Sequence, residues 1–512
     1  MDADIRPELA ALRERQQRTL DDRRADARAK RHAKGYRTAR ENVEDLVDPG
    51  SFQEYGQLAV AAQRSRRDYE ELQSSTAADG IITGTCTINR GQVGGERARA
   101  AIIVNDYSVL AGTQGFFHHK KLDRLCELAG ELLLPVVMYT EGGGGRPGDT
   151  DVTTQIAGLD VESFRTWAAL SGKVPRIAVN NGYCFAGNAA LFGCADFTIA
   201  TRHSWIGMAG PAMIEGGGLG KFEPTDIGPI EVQARNGVVD IVAEDEAHAT
   251  ALAKYLLAYF QGPVDHWRAG PQETLRDLIP ADRRWGYPVR RVVETLADEG
   301  SFLELQRTFG RSVITGFIRL EGMPLALIAN DCQQLGGAVD SEAAEKAARF
   351  LRICDSLGLP VLSLTDTPGF MVGPDSERQG AVRRMSSLFL AGADMSVPVV
   401  AIFLRKGYGL GAMAMTGGSF ARPVYAAAWP TGEFGGMGLE GAVRLGFSKE
   451  LDAVQDPAER EVLFNELVGR MYEIGKATEA AAHLEIDAVI DPADTREVVL
   501  RAFRAATGTW AG

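Results

Sequence analysis

The chain has 512 residues, a formal net charge of −13, 45% hydrophobic and 24% charged residues. These values exclude global disorder and argue against a nucleic-acid coat, which needs net positive surface. Length suggests about three domains, or two large ones, whereas the 58 glycines, well above the typical ~7%, say that something in the fold repeatedly needs bare backbone.

Residues 1–47 open with Asp2, Asp4 and Arg6, with no apolar stretch of the kind a signal peptide carries, and they are charge-dense, with a basic cluster over Arg23–Arg40. They read as an exposed helical arm, either solvated or held against a partner. A first domain is expected over 48–260. Residues 261–288 carry Pro263, Pro271, Pro280 and Pro288 among charged residues, which no long regular element tolerates, so a linker is placed there and a second domain over 289–512.

The two sides of that linker repeat each other in order. DPGSFQEYG (48–56) matches DEGSFLELQ (298–306), and IITGT (81–85) matches VITGF (313–317). LPVVMYTEGGGG (134–145) matches LPVLSLTDTPGF (359–370), and KVPRIAVNNGYCFAGNAA (173–190) matches SVPVVAIFLRKGYGLGAMA (396–414). ADFTIATRHSWIGMAGP (195–211) resembles PVYAAAWPTGEFGGMGLE (423–440), and VDIVAEDEAHATALAKYL (239–256) matches IDAVIDPADTREVVLRAF (486–503). Conserved order identifies an internal duplication and reduces three domains to two. Within each copy, short β-branched runs (Val136–Tyr139, Arg176–Val179, Val361–Leu364, Val399–Leu404) read as buried parallel strands. Helical stretches are expected between them at 114–134, 161–172, 341–358 and 380–393. In the third, Ala344, Ala347, Ala348, Leu351 and Cys354 share one face. The fold class is therefore α/β.

Each copy has two glycine-rich loops that leave a strand. The first pair is TEGGGGRPGD (140–149) and TDTPGFMVGPD (365–375); the second is NNGYCFAGNAA (180–190) and RKGYGLGAMAM (405–415). A strand, a turn of small residues and a helix N-terminus together point free backbone N–H groups at developing negative charge, an oxyanion hole. Glycine also simply permits tight turns; recurrence at equivalent places in two copies favours the donors. Other motifs fail. Gly220-Lys221 is followed by Phe222, so there is no P-loop. Gly407-x-Gly409-x-x-Ala412 imitates a dinucleotide fingerprint, but Ala427 stands where an acid is needed. No G-x-S-x-G elbow is present, and His118-His119 read as surface histidines. The six cysteines form no C-x-x-C pair, which fits a reduced protein with no metal on this chain. The longest clean apolar run, about Val397–Leu404, is far short of the ~20 residues of a membrane helix. A cytoplasmic protein without nucleic-acid or membrane partners is expected.

Over roughly residues 30–512 the chain resembles the carboxyltransferase (β) subunits of biotin-dependent acyl-CoA carboxylases of the propionyl-, acetyl- and methylcrotonyl-CoA type. The stretches EGGGGRPGD, NGYCFAGNAALFGCADF, GMAGPAMIEGGG, SEAAEKAARFLRICDSLGLPVLSLTDTPGFMVG, RKGYGLGAMAM and AWPTGEFGGMGLEGAV carry the resemblance. It implies two tandem crotonase-like (ClpP/crotonase) domains, with a CoA ester on the first and biotin on the second. It also implies a site formed between subunits of a hexamer or dimer-based oligomer, and transfer of the carboxyl group of carboxybiotin to an acyl-CoA α-carbon through two held anions. The thioester enolate would meet the N–H groups of Ala186 and Gly187, and the biotin ureido oxygen those of Leu410 and Gly411. The first loops would complete each hole, near Gly143, Gly144 and Gly145 on the acyl-CoA side and near Gly369 and Phe370, beside Gly409, on the biotin side. Arg146 and Lys221 are candidate cations for the CoA phosphates.

The chain departs from the family pattern at Ala186 and Leu410, where glycine is usual, and at Met413, where an acyl-selecting residue often lies. Ala412-Met413-Ala414-Met415 lacks the lysine that biotin acceptors hold between two methionines, so the resemblance places biotin on a separate carrier, served by a biotin carboxylase. A biotin-linked acyl-CoA decarboxylase and a non-catalytic assembly subunit are the alternatives.

Overall fold

The computed structural model describes residues 6–153, 156 and 158–508. The chain forms two compact units, Met1–Gly262 and Pro263–Gly512.

In the first unit the strands are β1 (Gln53–Tyr55), β2 (Ile81–Thr87), β3 (Arg99–Asn105), β4 (Val136–Tyr139), β5 (Arg176–Asn180), β6 (Tyr183–Phe185), β7 (Phe197–Thr201), β8 (Trp205–Gly207) and β9 (Ile241–Ala243). Their main sheet runs β1-β2-β3-β4-β5-β7-β9, and β6 pairs with β8 separately. The β1-β2-β3 pairings are antiparallel and those from β3 to β9 are parallel. In the second unit they are β10 (Leu303–Leu305), β11 (Val313–Leu320), β12 (Met323–Asn330), β13 (Val361–Thr367), β14 (Val399–Tyr408), β15 (Tyr425–Ala428), β16 (Glu433–Gly435) and β17 (Ala488–Val489). That sheet runs β10-β11-β12-β13-β14-β15-β17 with the same change from antiparallel to parallel after β12. The far end of β14 takes β16, repeating the pairing of β6 with β8: Phe185 faces Gly207 as Tyr408 faces Gly435. The duplication read from the sequence is thus a duplicated topology.

The parallel strands are buried on both faces, which is why they read as unbroken apolar runs. Helices observed at Phe116–Leu132, Ser163–Ala168, Ser341–Ser356 and Ala381–Asp394 lie inside the expected stretches or overrun them by a residue. The stripe from Ala344 to Cys354 is buried throughout.

Three expectations change. The boundary falls at Gly262/Pro263, and the proline-rich stretch packs into the second unit, burying Leu275 and Tyr287. Arg31, Val43 and Leu46 in the arm are buried as well, although the helix Pro7–Gln17 buries nothing. His118 is not a surface residue. Its Nε2 lies 2.7 Å from Asn105 Oδ1, while the neighbouring His119 meets Ser163 at 2.8 Å.

Candidate functional site

In the first unit the chain leaves β4 into Thr140–Gly145 and leaves β5 through β6 into the helix Gly187–Gly193. Backbone bonds sew these two loops together: Gly142 N–H donates to the Tyr183 carbonyl at 2.8 Å, and Phe185 N–H to that of Gly142 at 2.9 Å. A Cβ on Gly144, at φ +88°, would stand 2.7 Å from Ala186 Cβ and 3.6 Å from Gly187 N, so only glycine lets the loops meet.

Ala186 caps the helix at φ 52°, ψ −120°, a region that non-glycine residues occupy under strain. Its N–H donates to Gly207 O at 3.0 Å. That donor is therefore spent, and the expected pair of Ala186 and Gly187 narrows to Gly187. In the first loop, Gly143 N–H goes to Ala111 O at 3.1 Å and Gly144 N–H to Asn188 Oδ1 at 3.0 Å. The N–H groups of Gly145 and Gly187 make no hydrogen bond among the described residues.

The second unit repeats the geometry with different side chains. Gly369 N–H is taken by Thr367 Oγ1 at 3.1 Å, as Gly144 N–H is taken by Asn188. The Phe370, Leu410 and Gly411 N–H groups make no hydrogen bond among the described residues. Strand register makes Gly409, at φ 56°, the counterpart of Ala186, Leu410 that of Gly187, and Gly411 that of Asn188. The two donor pairs read from the sequence are thus one residue out of step with each other. Where Asn188 bridges the loops by its side chain, Gly411 lets them touch: a Cβ there would lie 2.7 Å from both Gly369 Cα and Phe370 N.

Each first loop starts from a buried acid held by an arginine. Glu141 receives Arg31 in a bidentate pair at 2.9 and 2.8 Å. Burial outweighs that guanidinium and, with Glu246 nearby, pushes the carboxyl up to about 7. The counterpart Asp366 binds Arg405 at 3.0 Å with both side chains buried. Arg146 is not the free cation expected for CoA. Its side chain is 4% exposed, is ion-paired with the buried Asp79, and donates to Thr113 O at 2.9 Å. Lys221 is on the surface, 2.8 Å from Glu215.

The sequence missed Asn188 and the pair of Glu141 with Arg31, whose roles lie in contacts far apart along the chain. The internal repeat carried a signal for two of them, since Asn188 aligns with Gly411 and Glu141 with Asp366. Beside the second unit's loops opens a cleft of about 980 Å³ lined by Gly409, Met413, Phe420, Phe434, Met437 and Ile474, among others. Leu410 projects at 60% exposure. No group of three or more metal-ligating side chains is assembled among the described residues, and no helix there is long and apolar enough to cross a membrane.

A family model described as Carboxyl transferase domain matches residues 30–509. The chain is 32% identical to the methylmalonyl-CoA carboxyltransferase 12S subunit of Propionibacterium freudenreichii subsp. shermanii, over 93% of this chain and 89% of that protein. It is also 32% identical to the biotin-dependent long chain acyl-coenzyme A carboxylase beta4 subunit of Mycobacterium tuberculosis, over 95% of this chain and 92% of that one. Among solved structures it is similar to a single-chain, multi-domain long-chain acyl-CoA carboxylase, with TM-score 0.92 and 55% identity, covering 98% of this chain and 49% of that chain, so it spans about half of that protein's length. The transcarboxylase 12S structure, a hexamer with methylmalonyl-CoA bound, matches with TM-score 0.85 and 29% identity over 99% of this chain and 97% of that one.

Proposed function

The chain belongs to the carboxyl transferase domain family, as a carboxyltransferase subunit of the biotin-dependent acyl-CoA carboxylase kind, and from that premise we propose that it carboxylates a long-chain acyl-CoA. What carries this reading is the similarity, over 98% of this chain, to a long-chain acyl-CoA carboxylase; the mostly apolar cleft of about 980 Å³ in the second unit, beside Met413, where the family resemblance puts an acyl-selecting residue, supports it. Ligand pockets run to ~300–1,000 Å³, and each methylene buried there is worth about 0.8 kcal/mol. The relative with 55% identity is itself a long-chain acyl-CoA carboxylase.

In this reading the first unit's Gly145 and Gly187 N–H groups hold the thioester oxygen as it gains enolate charge. Phe370, Leu410 and Gly411 of the second unit hold the ureido oxygen of biotin. These donors fit oxygen anions because they are backbone N–H groups left without acceptors in tight loops. Being fixed, they need no reorganisation as charge develops, and one such donor is worth on the order of 10²–10³ in rate. Bound carboxybiotin supplies the carboxyl group and, after giving it up, the base that removes the α-proton. The chain itself orients, shields and stabilises, which is why the loops carry no obvious catalytic acid or base. Biotin comes on a separate carrier served by a biotin carboxylase, and the working assembly is a hexamer in the cytoplasm.

The test is decarboxylation of malonyl-CoA and of 2-alkylmalonyl-CoA esters of increasing chain length by the purified chain, with and without free biotin. Biotin-stimulated turnover with kcat/KM rising with chain length is expected. A chain that neither binds CoA esters nor responds to biotin refutes carboxyl transfer; a preference for the shortest ester refutes the long-chain assignment.

A further inference from the structure

Between β16 and β17 the second unit places residues 436–487, where the first unit places 208–240 between β8 and β9. The added length folds into a helical hairpin, Leu439–Gly446 and Pro457–Ile474, joined through Ser448–Ala453. The hairpin has an apolar cluster of its own: Val443, Leu451 and Val468 pack with Phe447, Phe464 and Tyr472, all of them hairpin residues. A separate cluster that includes Phe403, Phe434 and Ala480 belongs to the body of the unit. The cleft of about 980 Å³ draws its lining from both sides. Met437, Met471 and Ile474 come from the hairpin and its entry, and Met413, Phe420 and Phe434 from the body.

Apart from Lys476 at the hairpin's own exit, which pairs with Glu473, one polar side chain from elsewhere in the unit reaches the hairpin among the described residues, that of Arg283. Its Nη2 donates to Glu440 Oε1 in the first helix at 2.8 Å, and its guanidinium carbon stands 3.4 Å from the ring centroid of Tyr472 in the last. Tyr472 Oη donates to the same Glu440 oxygen at 3.4 Å. The main chain of Arg283 points elsewhere. Its carbonyl accepts from Arg405 Nη1 at 3.0 Å, and Arg405 is the buried partner of Asp366 under the unit's first loop. Arg283 thus joins the support of the second unit's open N–H groups, by its backbone, to one wall of the cleft, by its side chain.

We propose that Arg283 is a positioning residue whose side chain holds the hairpin wall in place beside the second unit's loops and so sets how closely the cleft fits a long acyl chain. This rests on the long-chain reading. Methionine side chains on both walls adapt their shape, so the fit depends on where the hairpin stands. A half-exposed ion pair adds little to the stability of a whole unit, and Arg283 and Glu440 are 35% and 45% exposed. Here, however, the hairpin carries its own core, so the contact governs where the wall stands rather than whether the unit folds. A short acyl group buries little against that wall, whereas each further methylene gains by meeting it.

The experiment measures kcat and KM for biotin-dependent decarboxylation of a short and a long 2-alkylmalonyl-CoA ester by the full-length chain, below its melting transition, with a thermal midpoint for each protein. Arg283→Met keeps an extended side chain, removes both contacts to the hairpin and leaves the carbonyl that Arg405 uses. The expected result is a fall of about tenfold in kcat/KM for the long ester, the combined scale of one cation–π contact and one ion pair. The fall for the short ester is at least threefold smaller. The loss lies mainly in KM, because an acyl tail is held alike in the ground and transition states, and the midpoint moves by no more than about 3 °C. Arg283→Lys, which keeps a charge for Glu440, recovers part of the loss. Glu440→Gln shifts the long-to-short ratio the same way, and the double variant loses no more than Arg283→Met alone. A wild-type ratio in Arg283→Met overturns the proposal, as does an equal loss for both esters, or losses that add in the double variant. A wild-type chain without a preference for the long ester instead refutes the long-chain reading, and that is seen before any variant is compared.

Discussion

Asn188 gives the sharpest test of how the first hole is held. Its side chain is fully buried at the start of the helix Gly187–Gly193. Oδ1 accepts from Gly144 N–H at 3.0 Å, and Nδ2 donates to Thr140 O at 3.1 Å and, weakly, to Gly112 O at 3.5 Å. One side chain thus fixes the first loop against the second. Asn188→Ala removes two good hydrogen bonds, worth about 1 kcal/mol each net, and leaves a buried N–H and a buried C=O unpaired, each costing about 1–3 kcal/mol. Relaxation and entering water offset part of this, so about 3 kcal/mol is expected, which in a unit of this size lowers the melting midpoint by roughly 6–12 °C. The Gly144 N–H is also released, the Gly145 donor is no longer aimed, and kcat should fall on the order of 10² in the folded enzyme. Asn188→Asp keeps the acceptor and loses the donor to Thr140, so it should be intermediate in stability while retaining more of the rate. Calorimetry with biotin-dependent decarboxylation below the transition checks both effects. An Asn188→Ala enzyme with unchanged midpoint and kcat would show that the loops are held by something other than this side chain.

Other perturbations probe the second unit. Gly411→Ala puts a methyl into the Gly369–Phe370 backbone and should displace that loop, with decarboxylation falling at least tenfold because a misplaced donor is nearly a lost one; unchanged turnover would separate this contact from the hole. Met413→Asp sets a carboxylate at the apolar cleft and should cut kcat/KM for a long-chain ester about 10²-fold while largely sparing a short one; an equal loss for both would remove Met413 from acyl selection. Lys346 is held by Phe309 O at 2.9 Å and Gln306 O at 3.4 Å, and burial pushes its ammonium down to about 7. Unfolded, it titrates near 10.4, so between about pH 7 and 10 the unfolded chain holds a proton that the native chain lacks. This group's contribution then makes stability rise with pH, by at most about 1.4 kcal/mol per unit, and makes no slope below about 7. Urea midpoints at pH 7 and 9 should show this rise in the wild type relative to Lys346→Met; equal slopes in the two proteins would place the ammonium's pKa near its unfolded value.

The buried parallel strands, the duplication and the paired glycine-rich loops were legible because they depend on local pattern. Apolar runs mark strands buried on both faces, and small residues mark places where two backbones must touch, as at Gly144 and Gly411. What was not legible depends on which hydrogen bonds are already spent. Nothing local says that Ala186 N–H goes to Gly207 O, or that Arg146 beside the glycine run turns inward to Asp79. The one-residue slip between the two donor pairs has the same origin. The family resemblance pairs Leu410 with Gly411, whereas the counterpart of Gly187 is fixed by the register of Phe185 on Gly207 and of Tyr408 on Gly435. Asn188 carries no compositional signature at all.

The two copies also show which parts of the site the scaffold demands and which each unit adds. Both begin the first loop with a buried acid at the same place, Glu141 or Asp366, but the arginine comes from the arm in one case, Arg31, and from β14 in the other, Arg405. At Gly182, the counterpart of Arg405, a Cβ would stand 3.1 Å from Glu141 Cδ, so the first unit has no room for an arginine there and recruits one from residue 31. A buried ion pair is weak evidence for net stability, yet losing one partner costs about 3–5 kcal/mol because the other charge is stranded. Such a pair therefore fixes position more than it adds stability, and both copies retain it under the loop that carries the open N–H groups. The arm thereby becomes part of the first unit's site, one buried pair away from the donors. Gln114 and Asn188, with Val339 and Gly411 as counterparts, are where the copies diverge, and these positions border the holes. The two copies thus share one cradle of loops and differ in its polar lining, at the positions that border the open N–H groups.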